Sequence, residues 1–197
     1  MPRFVVKDSF YHKAKKEGYR ARSAYKLEEI QQHFKVIGKG DKVLDLGAAP
    51  GSWLQMESSL AGEKGVVVGI DILPIKPLPQ KNIIIKRADI REISVAILLH
   101  EAGTKEFDVI ASDIAPNLSG IRDVDDANVQ DLYNAVLRVV KEALKKGGNF
   151  LIKVFFSSQL RDMEADLRPL FARVSVFKPR SSRGVSSEVY LVCTGRR

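Results

Sequence analysis

Residues 42–53 read KVLDLGAAPGSW, and this stretch decides the fold of the chain. The first five residues form an apolar run that ends beside an acid, which indicates a buried β-strand. The small residues that follow allow a tight turn, and a helix is predicted over 52–61. A strand that passes through a glycine-containing turn into a helix is typical of the first unit of an α/β fold.

Six further strands are predicted after this unit, and helices separate most of them. Runs rich in Val and Ile lie at 65–70, 82–86, 107–111, 149–156, 174–177 and 189–193, with helices at about 91–102, 127–146 and 157–170. Alternating strands and helices favour an α/β fold with a mostly parallel sheet. The last two strands are joined only by residues 178–187, too few for a helical crossover, so they should form an antiparallel hairpin.

The helix predicted over 127–146 carries one apolar face and is expected to end at Gly147-Gly148. That face comprises Val129, Leu132, Val136, Val139, Val140 and Leu144. A further helix over 23–34 precedes the first strand. With 197 residues the chain should form a single domain, in which 1–35 are a basic N-terminal segment with a helix and 36–197 are the α/β core.

Composition excludes several classes of protein. No apolar run approaches the ~20 residues that a membrane span needs, and the N-terminal residues lack the apolar core of a signal peptide. The single cysteine, Cys193, excludes an intrachain disulfide, and the three histidines are too scattered for a metal-binding motif. We therefore expect a cytoplasmic protein without a metal site. A monomer is a separate expectation.

The net charge of +8 is concentrated at the two ends of the chain. Residues 1–27 hold eight Lys/Arg and two acids, and residues 171–197 hold six Lys/Arg and one acid. Basic ends on a nearly neutral body favour a polyanionic partner such as nucleic acid. The alternative is that the basic ends serve solubility alone.

Acids and small residues follow three of the predicted strands, where an open α/β sheet binds its ligands. Gly47 and Gly51 follow the first strand, Asp71 follows the second, and Asp89 follows the third. Asp71 is placed to accept ribose hydroxyls, and Asp89 to meet an adenine edge or to cap a helix.

The turn after the first strand distinguishes between two cofactors. The pattern D-x-G-x-x-P-G departs from the dinucleotide fingerprint G-x-G-x-x-G at Ala49 and Ser52. It suits S-adenosylmethionine (SAM), which has no pyrophosphate, better than NAD. The alternative interpretation is structural: a tight glycine turn, two helix caps and a core tryptophan.

Five stretches, in order along nearly the whole chain, resemble the FtsJ/RrmJ family of SAM-dependent RNA ribose 2′-O-methyltransferases. They are residues 20–27 (RARSAYKL), 45–53 (DLGAAPGSW), 112–120 (SDIAPNLSG), 153–155 (KVF) and 186–190 (SSEVY). The resemblance implies a Rossmann-like SAM methyltransferase fold with a mostly parallel seven-stranded sheet, a C-terminal antiparallel hairpin and helices on both faces. Ala88 and Lys76 depart from the family pattern, which usually has a glycine and an acid at these positions.

The resemblance also implies the residues of the site. The family's catalytic tetrad falls on Lys26, Asp113, Lys153 and Glu188. Cofactor contacts are expected from Gly47, Ala48, Pro50, Gly51, Trp53, Asp71, Ile72, Asp89, Ile90 and Asp113. The implied substrate is a uridine of large-subunit (23S-type) rRNA in the ribosomal particle. The family's tRNA anticodon-loop branch, which shares the RARSAYKL-like start, is the alternative.

The tetrad suits the chemistry of this reaction. A ribose 2′-hydroxyl must lose its proton as it attacks the methyl group of SAM, and a neutral lysine amine can accept that proton. Lys153 is the expected base, because a lysine within an apolar strand is costly to bury without a task. Asp113 would orient it, and Glu188 would accept a hydrogen bond from Lys26 or a ribose. Taken singly, Lys26 also fits a solvated helix lysine, Asp113 a turn cap and Glu188 a surface ion pair.

The basic ends would bring RNA to this tetrad. Expected phosphate contacts are Lys13, Lys15, Lys16, Arg20, Arg22, Arg180 and Arg183, and Tyr11, Tyr19 and Tyr25 are expected to stack on unpaired bases. Two other functions stay open: a non-catalytic ribosome-assembly factor with the same fold and basic surface, and an NAD-dependent enzyme. The intact tetrad argues against the first, and Pro50 with Ser52 argues against the second.

Overall fold

The computed structural model describes residues 9–115, 119–155, 159–182 and 186–197, so Arg183, a predicted RNA contact, lies outside the described residues. The elements are α1 (Ser9–Lys16), α2 (Ala24–Phe34), β1 (Lys42–Leu46), α3 (Ser52–Ala61), β2 (Val66–Asp71), β3 (Ile83–Arg87), α4 (Val95–Glu101), β4 (Phe107–Ser112), α5 (Arg122–Ala143), β5 (Leu144–Phe155), α6 (Gln159–Leu167), β6 (Phe171–Phe177) and β7 (Glu188–Arg196). None of the described helices has both the length and the apolar composition needed to cross a bilayer.

The seven strands form one sheet in the order β3-β2-β1-β4-β5-β7-β6. The first five strands in this order are parallel, and β7 runs antiparallel to both β5 and β6. The predicted mostly parallel sheet and the antiparallel hairpin are therefore confirmed. The strand order reverses direction between β1 and β4, and the carboxyl ends of these strands mark the crevice where such sheets bind ligands.

Helices cover both faces of the sheet, as expected. Leu44 and Leu46 of β1 face a layer built from α4, α5 and α6, whereas Val43 faces a layer built from α2 and α3. This alternation follows from the two-residue period of a strand, and burial on both faces explains the Val- and Ile-rich runs. The α2–α3 layer positions most of the site described below. Cys193 is fully buried in the opposite layer.

The long helix differs from its predicted bounds at both ends. It begins at Arg122, not at 127, and ends at Ala143, not at 146. Leu144, expected on the apolar face of the helix, instead opens β5 and pairs with Phe107. Pairing with the sheet thus overrides the helical periodicity of one leucine, and a register shift between Phe107 and Val109 accommodates the extension.

Two other helices are shorter than predicted, α4 and α6, and one helix, α1, was not predicted. α4 covers only Val95–Glu101, because the preceding residues form a turn in which the N–H of Glu92 donates to the carbonyl oxygen of Asp89 at 3.1 Å. α6 ends at Leu167 rather than at 170. The sequence analysis did not predict α1, an eight-residue helix that buries only Ala14.

Candidate active site

A cavity of about 540 Å³ opens at the carboxyl ends of β1, β2 and β4. Six of the predicted cofactor contacts line it: Gly47, Asp71, Ile72, Asp89, Ile90 and Asp113. Ala49, Arg91, Ile114, Asn128 and Leu132 are among the other lining residues. The cavity lies at the switch point of the sheet and combines carboxylates with apolar walls, as a small-molecule site requires.

Gly47 and Asp71 shape the base of the cavity. Gly47 has a φ of 84°, and a Cβ there would lie 2.5 Å from Cγ1 of Ile114, so only glycine fits. The Asp71 carboxylate accepts the N–H of Ala49 at 2.9 Å and the N–H of Leu73 at 2.8 Å. Asp71 thus joins the loops that follow β1 and β2, and its remaining lone pairs are available to ligand hydroxyls.

Asp89 is held by Arg91 at the rim of the cavity. Nη2 of Arg91 lies 2.5 Å from Oδ2 of Asp89, and the backbone N–H of Arg91 donates to Oδ1 at 2.9 Å. These hydrogen bonds lower the pKa of Asp89 below its usual value, so this carboxylate is ionised at neutral pH. Its position is compatible with both roles expected from the sequence, a ligand contact and a cap of the following turn.

Four predicted cofactor contacts, all in the described part of the chain, lie outside the lining of this cavity: Ala48, Pro50, Gly51 and Trp53. Ala48 and Trp53 are buried in the α2–α3 layer, where Trp53 stacks on Tyr190 with ring centroids 5.8 Å apart. Nε1 of Trp53 also donates to the carbonyl oxygen of Ser23 at 2.8 Å. Trp53 therefore packs in the α2–α3 layer and contacts Tyr190 and Ser23. A cofactor contact of these four residues stays a prediction.

Lys153 and Asp113 form one half of the predicted tetrad. Nζ of Lys153 lies 3.1 Å from Oδ1 of Asp113 and donates to the Asp113 carbonyl oxygen at 2.6 Å. The hydroxyl of Tyr190 donates to the same Oδ1 at 2.8 Å. Burial, with the neighbouring Asp113 carboxylate, raises the pKa of Tyr190 well above its usual value, so its hydroxyl stays a hydrogen-bond donor. The Asp113 carboxylate is thus fixed from two sides.

Lys26 and Glu188 form the other half. Nζ of Lys26 lies 2.5 Å from Oε1 of Glu188, and only 10% and 12% of the two side chains are exposed. Burial alone would raise the pKa of Glu188, but the hydrogen bond from Lys26 and the charges of Lys26 and Lys153 outweigh it and hold the pKa below its usual value. Glu188 is therefore a carboxylate under the electrostatic influence of both lysines.

Strand pairing explains why the four residues meet. In the antiparallel β5–β7 pair, Lys153 lies opposite Tyr190, and Glu188 precedes Tyr190 by two residues on β7. Residues two apart share a face, so all three lie on the side of the sheet that α2 covers. α2 then carries Lys26 to this face, and Asp113 directly follows β4, the neighbour of β5.

Sequence reasoning missed two buried carboxyl groups, Asp45 on β1 and Glu57 on α3. Neither has exposed surface, and neither carboxyl has a hydrogen-bond partner among the described residues. Burial raises the pKa of both well above the usual range, with added repulsion from Asp113 and Asp71 for Asp45 and from Asp45 for Glu57. These shifts favour the neutral acids. The signal in the sequence was the i, i+4 spacing of Trp53 and Glu57, which places both on one helix face.

Three other site residues were also not singled out. Tyr190 was recognisable from its alternation with Glu188, which puts both side chains on one face of a strand. Arg91 follows Asp89 by two residues, the spacing of a local side-chain turn. Asn128 precedes Leu132 by one helical turn, but the sequence carries no sign that this end of α5 reaches the cavity.

Five of the predicted RNA contacts keep a surface position. Lys13, Lys15, Lys16 and Arg180 are exposed, and Arg22 is partly exposed. Arg20 has a different setting, because its guanidinium donates to the carbonyl oxygens of Pro50 at 3.0 Å and of Lys76 and Pro77 at 2.6 Å. These bonds tie the N-terminal segment to the loops beside the cavity, and a phosphate contact of Arg20 stays a prediction.

The expectation that Tyr25 stacks on a base is wrong. Only 1% of Tyr25 is exposed, and its hydroxyl donates to Oε2 of Glu17 at 2.9 Å. Lys13 lies 4.3 Å above the centre of its ring. Tyr25 belongs to the buried face of α2 because it packs beneath α1, which the sequence did not reveal. Tyr11 is 43% exposed and Tyr19 is partly buried.

The sheet order, the cavity at its carboxyl edge and the Lys-Asp-Lys-Glu cluster together define a Rossmann-like methyltransferase. Residues 19–196 match the model of the FtsJ-like methyltransferase family, and the chain belongs to this family. The expected family, fold and enzyme class are thereby confirmed.

Individual relatives agree with this assignment. The chain is 45% identical over 186 residues to the ribosomal RNA large subunit methyltransferase E of Methanothrix thermoacetophila, covering 94% of this chain and 71% of the relative. It is 42% identical over 187 residues to the protein of the same name from Bdellovibrio bacteriovorus, covering 94% and 95%. A solved structure from Plasmodium falciparum, described as a ribosomal RNA methyltransferase, matches with a TM-score of 0.80 and 29% identity over 90% of this chain and 98% of that chain.

Proposed function

We propose that this protein transfers a methyl group from SAM to a ribose 2′-hydroxyl of large-subunit ribosomal RNA. The observation that carries the proposal is the cluster of Lys153, Asp113, Lys26 and Glu188 at the edge of the ligand cavity. Asp113 belongs both to the cluster and to the cavity lining, so the two sites are continuous. A general base beside a pocket for a methyl donor is the arrangement that alkylation of a hydroxyl requires.

The residues of the cavity fit SAM. Asp71 offers free carboxylate lone pairs to ribose hydroxyls, and Asp89 is an ionised acceptor at the rim. Ile72 and Ile90 supply apolar surface for a purine. Gly47 lets the loop after β1 pack closely against Ile114, another residue that lines the cavity. When bound, SAM supplies an electrophilic methyl group, and its positive sulfonium is compatible with the Asp113 carboxylate nearby.

In the proposed mechanism, Nζ of Lys153 accepts the proton of the ribose 2′-hydroxyl as the oxygen attacks. Asp113 holds Nζ in place through its carboxylate and its carbonyl oxygen. The Tyr190 hydroxyl keeps the Asp113 carboxylate oriented, and the β5–β7 strand pair places Tyr190 opposite Lys153. Because Lys153 and Tyr190 lie on paired strands, Asp113 directly follows β4 and all three are mostly buried, little reorganisation is needed at the moment of transfer.

Lys26 and Glu188 position the substrate in this account. Lys26 supplies a positive charge for the ribose oxygen and adjacent phosphate, and Glu188 keeps the Lys26 ammonium in a defined place. The exposed cations of α1 extend this positive surface away from the site, which suits a phosphate backbone. The names of the relatives support ribosomal RNA as the substrate. The proposal has three finer parts. The methylated nucleotide is a uridine in the ribosomal particle, the protein acts as a monomer, and it acts in the cytoplasm.

Methyl transfer to isolated large ribosomal subunits tests the proposal. Subunits from cells lacking the protein are incubated with SAM labelled in its methyl group, and 2′-O-methylated positions are mapped afterwards. We expect one new 2′-O-methyl group in large-subunit rRNA, and none with Lys153→Ala protein. Methylation of purified tRNA instead would favour the anticodon-loop alternative. Binding to subunits without transfer would identify an assembly factor, and calorimetry with SAM and NAD side by side checks the cofactor.

A further inference from the structure

The connector between β6 and β7 is held by a carboxylate of α2. Oε2 of Glu29 accepts the backbone N–H of Arg180 at 2.7 Å, and Oε1 accepts the backbone N–H of Ser181 at 2.8 Å. The same stretch is turned tightly, because the N–H of Ser182 donates to the carbonyl oxygen of Pro179 at 3.2 Å. One carboxylate thus satisfies two successive N–H groups of a surface turn, an arrangement that fixes the backbone of that turn.

The contact of the Glu29 carboxylate with the backbone N–H groups of Arg180 and Ser181, which we call the clamp, is charge-assisted. Burial alone would raise the pKa of Glu29, but hydrogen bonding from Ser181, the backbone N–H of Arg180 and the Arg180 charge outweigh it and keep the pKa below its usual value. Glu29 therefore stays ionised at neutral pH, and charge-assisted hydrogen bonds are stronger than neutral ones. Pro179 and Ser181 are buried on either side of Arg180, whose side chain is exposed.

The clamp acts on the segment that leads into the tetrad. Glu29 follows Lys26 by three residues, so both lie on one face of α2. Lys26 binds Glu188 at the start of β7, and Glu29 binds the turn that precedes β7. α2 therefore binds two points of this part of the chain: the turn at Arg180 and Ser181, and Glu188 at the start of β7.

We propose that Glu29 is a positioning residue for RNA methylation, an inference that rests on the proposed function. By fixing the backbone at Arg180 and Ser181, Glu29 presents the exposed Arg180 guanidinium to the RNA. Glu29 itself contacts neither reacting atoms nor the cofactor cavity. Losing it should therefore weaken the productive placement of RNA and leave SAM binding intact.

The test compares Glu29→Gln and Glu29→Ala with a matched control, Glu28→Gln, which removes the same charge from the neighbouring position of α2. The first readout is amide hydrogen exchange at Arg180 and Ser181, which reports the clamp directly. Glutamine has one carbonyl oxygen, so it should keep one of the two hydrogen bonds. We expect exchange at these amides to accelerate about tenfold or more in Glu29→Ala, less in Glu29→Gln, and not at all in Glu28→Gln.

The second readout is the kinetics of RNA methylation. We expect kcat/KM for RNA to fall about 10- to 100-fold in Glu29→Ala, with Glu29→Gln intermediate and SAM affinity within about twofold of wild type. Arg180→Ala should weaken RNA binding in the wild-type background and have less effect in the Glu29→Ala background, because an unclamped turn no longer directs the guanidinium.

The contrary outcomes divide into those that overturn the positioning role of Glu29 and the one that overturns the proposed function. A Glu29→Gln enzyme with accelerated amide exchange but unchanged kcat/KM would overturn the positioning role, as would a parallel fall in SAM affinity and melting temperature. Additive effects of Glu29→Ala and Arg180→Ala would do the same. A wild-type protein that methylates no RNA would overturn the proposed function itself, and with it the role of Glu29.

Discussion

Replacing Lys26 by methionine should destabilise the protein, because the Glu188 carboxylate would stay buried without its partner. Methionine keeps most of the apolar stem and removes only the ammonium group. Removing one partner of a buried ion pair costs about 3–5 kcal/mol. The side chains of Lys26 and Glu188 keep 10% and 12% of their exposure, so we expect a loss at or below the low end of this range, about 2–3 kcal/mol in the free energy of unfolding.

The loss should depend on pH in a defined direction. In the wild type the pKa of Glu188 is lowered, so the pair stabilises the fold above the usual carboxyl pKa, and this stabilisation is lost as the pH falls through the lowered value. In Lys26→Met burial acts without the lysine and raises the Glu188 pKa relative to the wild type, so protonation relieves the unpaired charge as the pH falls. The difference between wild type and variant should therefore be larger at pH 7.5 than at pH 5.

Urea denaturation at fixed salt and at both pH values measures this effect. The double variant Lys26→Met/Glu188→Gln should recover most of the lost stability, because no buried charge is left unpaired. Lys86→Met is the control, because the Lys86–Glu101 pair is more exposed and should contribute less than ~1 kcal/mol. A loss below about 0.5 kcal/mol in Lys26→Met, equal at pH 7.5 and pH 5, would refute the reasoning.

Three further predictions concern the cavity, the basic surface and the buried acids. Asp71→Ala should weaken SAM about 10- to 100-fold by calorimetry, since charge-assisted bonds to two ribose hydroxyls are lost, and unchanged affinity would place the cofactor elsewhere. The second variant replaces four basic residues of the N-terminal segment by alanine: Lys13, Lys15, Lys16 and Arg22. The slope of log K for RNA against log salt concentration should become shallower by roughly 0.7 per lost phosphate contact, and SAM affinity should not change. A wild-type slope would assign these charges to solubility. Burial raises the pKa of Glu57, so the native state binds this proton more tightly than the unfolded chain does. The free energy of unfolding should therefore fall as the pH rises above the usual carboxyl pKa. Urea titrations from pH 5 to pH 8 should show a smaller fall in Glu57→Gln than in the wild type. An identical pH slope in Glu57→Gln would contradict this assignment.

The strands were the most predictable part of the fold. Runs of Val and Ile are typical of strands in a sheet buried on both faces, and the short connector before Glu188 is too short for a helical crossover and favours a hairpin. Helix ends were less predictable, because they depend on competition with neighbouring elements. Leu144 has the spacing of a helix residue, but pairing with Phe107 draws it into β5.

The tetrad was predicted from its motifs, whereas its geometry was not. Lys26 and Glu188 come from opposite ends of the chain, and only the packing of α2 on β7 makes them partners. Similarly, the acceptors of Arg20 lie in two separate loops, so the sequence presented it as one more cation of a basic segment. Tyr25 was misjudged for the same reason, since burial under α1 is a long-range property.

The central claim, that Lys153 removes the proton, is tested most directly by exchanging each lysine of the tetrad for arginine. Single-turnover methyl transfer is measured with saturating SAM from pH 6 to pH 9. Lys153→Arg should lose at least ~100-fold in rate, because a guanidinium stays protonated and cannot accept a proton, and Lys26→Arg should be milder, because Lys26 needs only its positive charge. An active Lys153→Arg with an inactive Lys26→Arg would reverse the two roles, and activity in both would show that no lysine acts as the base.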